Sequence, residues 1–236
     1  KGAGEFRPIS WDEAVEEIRL RWVELIRKYG AESILPYSYA GTMGILQYNA
    51  FHGFFYAMGA SELDRTICAP AKAYGWQSVM GKTFSTAPQE AQKSDFILLW
   101  GISMLATNIH FLHDLRIARD RGAKIWCIDT YATKTAQLSD RLICVRPGTD
   151  GDLAFGMLHI SARDALADEA FIRRYVLGWE ELREKVLPKY VPDTVSRITG
   201  VAEEDILELA HAYAKSRAPF IRLGSGLSRY TNGDMT

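Results

Sequence analysis

At 236 residues, with 47% hydrophobic and 24% charged residues, the chain is long enough to bury a sizeable core and has the composition of an ordinary globular protein. A formal net charge of -1 supplies no basic face, which excludes a nucleic-acid binder that works by charge. No apolar run approaches the length of a membrane span, so direct membrane insertion is not expected, and no signal peptide opens the chain. The Gly-rich start "KGAGEF" and the end "NGDMT" both read as cut, so a fragment of something longer is expected. The compartment, cytoplasm or periplasm, then depends on what precedes Lys1.

In chain order, "ISWDEAVEEIRLRWVELIRKYG" predicts an amphipathic helix. Ser10 and Glu13 form a capping box, Gly30 stops it, and Ile18, Trp22, Leu25 and Ile26 make a buried stripe. "SILPYSY" predicts a strand, and "GTMGILQYNAFHGFFYAMG" one helix closed by Gly59. A further helix, "AKAYGWQSVMG", lies beyond Cys68. From Asp95 a regular alternation begins: strand "DFILLWG", helix "IHFLHDLRIARDRG", strand "AKIWCID", strand "RLICVRPG", helix "DLAFGMLHISARDAL". Helices broken at Gly178, Pro188, Pro192 and Gly200 fill 168–216, and "PFIRLGSG" is the last strand. Strands this apolar, alternating with helices, predict an α/β fold: a parallel, Rossmann-like sheet with helices on both faces.

Of the three cysteines, Cys127 and Cys144 sit in apolar runs and are expected in the core, whereas Cys68 lies among polar and loop-forming residues. No C-x-x-C pair is present, so neither a zinc site nor an iron–sulfur cluster is legible within the chain. Three strands end in small or acidic residues: Gly101, Asp129, and Gly224 with Gly226. The crevice beyond the carboxyl ends of such strands is where open parallel sheets bind ligands. Asp129 is placed to accept ribose hydroxyls, and backbone N–H groups in "GISMLATN" to meet phosphate. The G-x-G-x-x-G fingerprint is missing and "GSGLSR" fails at its last position, which argues against a nicotinamide dehydrogenase. In "RPGTDGD", Pro147 and Gly148 predict a tight turn, after which Thr149 or Asp150 caps a helix or Asp150 faces a ligand.

Taken together, these segments resemble the molybdopterin oxidoreductases of the dimethyl sulfoxide reductase and formate dehydrogenase type. "GEFRPISWDEAVEEI" is similar to that family's F-x-x-I-S-W-D-E-A segment, and "DFILLWG…TNIHFLHDLRIARDRGAKIWCID" resembles its strand–loop–helix–strand ending in Asp. "RPGTDGDLAFGM" is close to its P-G-T-D-x-A-L loop, and "GSGLSRYTNG" to a later glycine-rich loop. The resemblance covers nearly the whole chain. It implies two intertwined central domains: 1–66 with 151–236 in one, and 67–150 as the Rossmann-like dinucleotide-binding domain.

The cofactor so implied is molybdenum or tungsten held by two pterin guanine dinucleotides (bis-MGD), with a 4Fe-4S cluster in a part before Lys1. Cys68 falls where the family places the metal's protein ligand, and a soft thiolate suits it. Gly101, Thr107, Asp129, Gly148, Thr149 and Asp150 would hold one dinucleotide, with Ser103, Asn108, Thr130 and Thr133 as further cofactor contacts. Gly224 and Gly226 would hold the second. An ionised Asp150 can accept guanine N1–H and N2–H2 side by side, a donor pair that adenine lacks.

Departures from the pattern are local: Ser103 and Met104 replace Asn and Pro, and Thr130 and Tyr131 replace Pro and Arg. The implied function is two-electron chemistry on a small substrate, by oxygen-atom or hydride/proton transfer, with electrons passing to an iron–sulfur domain or subunit. The competing reading is a non-catalytic scaffold subunit of a respiratory complex that has lost the metal. No general acid or base is identified; His52 and Lys72 lie nearest Cys68 in sequence.

Overall fold

The structure, a computed structural model, describes residues 2–39, 41 and 43–236. Contacts divide the chain into two compact units, Lys1–Pro70 and Ala71–Thr236.

In the first unit α1 spans Trp11–Tyr29 behind the expected capping box. The Ser10 hydroxyl accepts from the Glu13 N–H and the Glu13 carboxylate accepts from the Ser10 N–H. The stripe expected to be buried is not: no residue of α1 is buried, and Ile18 is 47% exposed. The 33–39 segment forms no strand; its carbonyls at Ile34 and Ser38 accept instead from Ser61 N–H and Arg65 Nε. The single helix expected over 41–59 is two, α2 (Ile45–Asn49) and α3 (His52–Met58), and Thr42 lies outside the described residues. α4, Pro70–Met80, follows Cys68 as expected.

The second unit is built on four parallel strands: β1 (Phe96–Trp100), β2 (Lys124–Asp129), β3 (Arg141–Cys144) and β4 (Pro219–Leu223), in the order β3-β2-β1-β4. Between β1 and β2 lie α5 (Met104–Thr107) and α6 (Phe111–Asp120). After β3 come α7 (Asp150–Arg163), α8 (Glu169–Tyr175), the short α9 (Trp179–Glu181), α10 (Pro192–Thr199) and α11 (Glu203–Lys215). Gly178 and Gly200 interrupt this run in left-handed conformations, and Pro192 opens α10.

Pleat alternation sends β1 side chains to opposite faces. Phe96, Leu98 and Trp100 join Trp126, Ile128 and Ile143 under Leu153, Val195 and Leu209 of α7, α10 and α11. Ile97 and Leu99 join Ile125 under Phe111, Leu115 and Ala118 of α6. Both faces are covered, which is why β1 reads as an unbroken apolar run. Each fully buried Leu or Ile contributes about 1.5–3 kcal/mol.

Residues 151–236 were expected to share a domain with 1–66. In the structure β4 pairs with β1 residue for residue, from Phe96 opposite Pro219 to Trp100 opposite Leu223, so these residues complete the sheet's own unit. Cys127 is buried, and burial pushes its thiol up to about 12, so it is chemically quiet. Cys144 corrects the expectation: it ends β3 and is exposed, because only the Ile143 side of that strand is covered.

Candidate functional site

The chain leaves β1 for β2 on one side, and β4 returns on the other, so strand order reverses between β1 and β4. That is a topological switch point, where a crevice opens beyond the strand ends. A cleft of about 310 Å³ lies there, lined by Gly101, Asp129, Thr130, Asp150, Gly226, Leu227 and Tyr230. Five of these are residues singled out in the sequence, drawn from three strand ends and one helix start.

The glycines are needed for closure. A Cβ on Gly224 would stand 1.8 Å from the Gly101 carbonyl oxygen, and Gly101 itself has φ +60 with Leu227 where its own Cβ would go. Beyond β4, Ser225–Ser228 makes a 3₁₀ turn rather than a long helix, and brings Leu227 and Tyr230 over the cleft. Asn232 then donates to the Gly148 carbonyl at 3.1 Å, so the two glycine-bearing loops are pinned together.

"RPGTDGD" forms the expected turn: Thr149 N–H donates to the Arg146 carbonyl at 3.2 Å across Pro147 and Gly148, and Gly148 has φ +80. Thr149 sits at the N-cap position, but its hydroxyl donates back to the Arg146 carbonyl at 2.8 Å and does not cap. Asp150 does not cap either. Its side chain, 5% exposed, accepts from the Trp100 indole Nε1–H at 2.7 Å and turns toward the cleft. Burial pushes this carboxyl above the usual carboxylate range, against the pull of the Trp100 hydrogen bond. Asp129 Oδ1 accepts from the Thr130 N–H at 2.8 Å, which holds the second carboxylate at the rim. Buried nearby in sequence, the Thr133 and Thr135 hydroxyls have no partner among the described residues.

Other predicted residues fall outside the cleft lining. Thr107 hydroxyl donates at 2.8 Å to the carbonyl of Ser103, the residue before α5, and Asn108 ends that helix. Lys72 donates to Ser225 Oγ at 3.2 Å, beside the loop that carries Gly226. Gly224 and Gly226, expected to serve a second dinucleotide, flank the same cleft as Asp150. Cys68 belongs to the first unit and is exposed; the Tyr39 hydroxyl accepts from the backbone N–H groups of Ile67 and Cys68 at 2.8 and 2.7 Å and fixes that turn. Among the described residues no three His, Cys, Asp or Glu side chains group as a metal site requires. Trp100, Leu227 and Tyr230 went unread in the sequence. A polar-tipped aromatic ending an otherwise aliphatic strand was the available signal for Trp100.

The family model for molybdopterin oxidoreductase matches residues 1–236. The chain belongs to the molybdopterin oxidoreductase family. The chain is 45% identical to the "Probable oxidoreductase YoaE" of Bacillus subtilis, over all of this chain and 35% of that protein. Formate dehydrogenase H of Escherichia coli is 29% identical over 98% of this chain and 33% of its own length. Among solved structures, acetylene hydratase from Pelobacter acetylenicus superposes with a TM-score of 0.77 at 27% identity, over all of this chain and 32% of that one. The chain thus spans about a third of the length of these molybdopterin oxidoreductase relatives.

The family is described as molybdopterin oxidoreductase, so a molybdenum or tungsten pterin is the cofactor to set against these residues. The residues present suit a nucleotide arm of such a cofactor. Two carboxylates face a cleft without a paired cation among the described residues, and they match a ligand rich in N–H and O–H donors. Small residues let the backbone come close, and orphaned threonine hydroxyls stand on the loop after β2.

Proposed function

We propose that this chain is the central part of a bis-MGD oxidoreductase acting on a small substrate, with the switch-point cleft holding one guanine end. The reading is carried by a single observation: a buried carboxylate, Asp150, turned into the cleft with Trp100 fixing one of its oxygens. Trp100 uses one lone pair of Oδ1, so Oδ2 and the remaining lone pair stay available to accept N1–H and N2–H2 of guanine. Adenine would leave that carboxylate buried and unpaired, so the site discriminates by penalising the wrong base. Asp129 is assigned the ribose hydroxyls, and Lys72 with Ser225 a position along the phosphate arm.

Cys68 is assigned to the metal, which when bound supplies the two-electron redox chemistry. The Tyr39 hydroxyl holds the backbone on which that thiol sits. The substrate and the electron-transfer partner belong to the whole protein and are proposed by class only: a small molecule, and an iron–sulfur domain or subunit.

The test is acid hydrolysis and metal analysis of the full-length protein from cells supplied with molybdate and tungstate. Guanine nucleotide and molybdenum or tungsten are expected in the wild type. Asp150→Asn, which offers an amide donor where two acceptors are needed, is expected to retain at least about tenfold less guanine. Metal-free, guanine-free wild-type protein would instead favour the scaffold reading.

A further inference from the structure

A second cleft, of about 450 Å³, lies within the first unit and is lined in part by Pro36, Ser38, His52, Phe55, Leu63 and Arg65. Arg65 is half-buried there. Its Nε donates to the Ser38 carbonyl at 3.1 Å, and its Nη2 lies 3.0 Å from Ser38 Oγ and 3.1 Å from His52 Nε2. His52 Nε2 also lies 3.2 Å from Ser38 Oγ, so the three side chains form one polar cluster. The guanidinium also lies over the Tyr48 ring, 5.2 Å from its centroid, which orients its plane.

This charge has no ion-pair partner among the described residues, and its Nη1 edge donates to no protein acceptor among them. Half-burying a cation without a paired counter-charge is costly. An anion in the cleft would offset that cost.

We propose that the Ser38–His52–Arg65 cleft binds a small carboxylate monoanion, with the Arg65 guanidinium as its anchor. The Ser38 and His52 contacts engage Nε and Nη2, which leaves the N–H groups of Nη1 to donate to a carboxylate oxygen. Phe55, Leu63 and Pro36 give the walls an apolar character that suits a hydrocarbon substituent rather than a fully hydrated phosphate. Glu62, also on the lining but exposed, penalises an ion of higher charge. The cleft also adjoins the Cys68 turn through the chain itself, since Ser38 precedes Tyr39 and Arg65 lies three residues before Cys68. The proposal stands apart from the cofactor reading and is tested without it.

The experiment is isothermal titration of the full-length protein with sodium acetate, against sodium chloride and sodium phosphate at matched ionic strength. Saturable acetate binding is expected in the wild type, and Arg65→Met is expected to weaken it at least about tenfold with the circular dichroism unchanged. Arg65→Lys keeps the charge without the Nη1 donors that the Ser38 and His52 contacts hold in place, and is expected to weaken binding several-fold; it carries the test should Arg65→Met not fold. No saturable acetate binding, binding unchanged in Arg65→Lys, or phosphate binding as tightly as acetate would each overturn the proposal.

Discussion

Asp150 occupies the first turn of α7, where a carboxylate ordinarily satisfies the helix's own N–H groups. Here the aspartate is drawn away by the Trp100 indole, fifty residues earlier in the chain, and is buried in the exchange. Its carboxyl is raised from the ordinary value of 3.8, chiefly by burial. The folded protein therefore keeps this proton over a pH range in which the unfolded chain has already lost it. Stability contributed by the group falls as pH rises through that range, and at neutral pH the ionised carboxylate is a net cost. Asp150→Asn keeps an acceptor for Trp100 and removes the charge. In the cofactor-free protein, urea unfolding is expected to show the variant gaining stability over the wild type as pH rises from about 4 to neutral. A constant difference across that range would show that the buried charge carries no such cost. The same substitution that stabilises the fold is expected to lose guanine, the usual conflict between a binding group and its scaffold.

Strand β4 is tied to the sheet by the residues just before it as well as by its ladder. Asp95, just before β1, accepts from Ser216 Oγ and from the N–H groups of Arg217 and Ala218 at 3.0 Å each. The Ser216 hydroxyl, first, and these N–H groups outweigh partial burial and lower the Asp95 carboxyl to about 2. A depressed carboxylate contributes stability that is fully present above its ordinary 3.8 and is lost as pH falls through about 2. Asp95→Ala is expected to cost about 1–3 kcal/mol in urea unfolding at neutral pH. That cost should shrink as pH is lowered from 3.8 towards 2, whereas a pH-independent loss would assign it to packing alone. At the other end of the same strand the Gly224 backbone closes on the Gly101 carbonyl, so β4 is fixed at both ends of its pairing with β1.

The two compact units differ in how they are held. Residues 71–236 have two apolar clusters on either face of one sheet. Among the described residues up to Pro70, Ile34 is the only buried apolar side chain, while Trp11, Ile45, Leu46 and Phe51 are each more than 70% exposed. A segment of that size with so little burial cannot offset its chain entropy. Expressed alone, residues 71–236 are expected to unfold in one cooperative urea transition, and residues 1–70 to show helical circular dichroism without such a transition. A cooperative transition in the shorter piece would contradict the burial argument.

Local chemistry was legible wherever neighbours along the chain settle it. The Ser10–Glu13 box, the Pro147–Gly148 turn, the breaks at Gly178, Pro192 and Gly200, and the apolar run of β1 each depend on a few adjacent residues. The α/β class followed from their order. The resemblance of four such segments pointed to the molybdopterin oxidoreductase family that the comparisons establish. Burial was read less well, because it depends on what covers a face: the α1 stripe and Cys144 have the apolar pattern of core without the cover. Periodicity also joined α2 to α3, although the chain breaks near Phe51. Only the tertiary structure decided that β4 lies beside β1. That pairing makes the switch point and brings Gly226 to the cleft that Asp150 faces, while α7 packed over β1 gives Trp100 a carboxylate to hold; contacts fifty or more residues apart leave no spacing in the sequence to read.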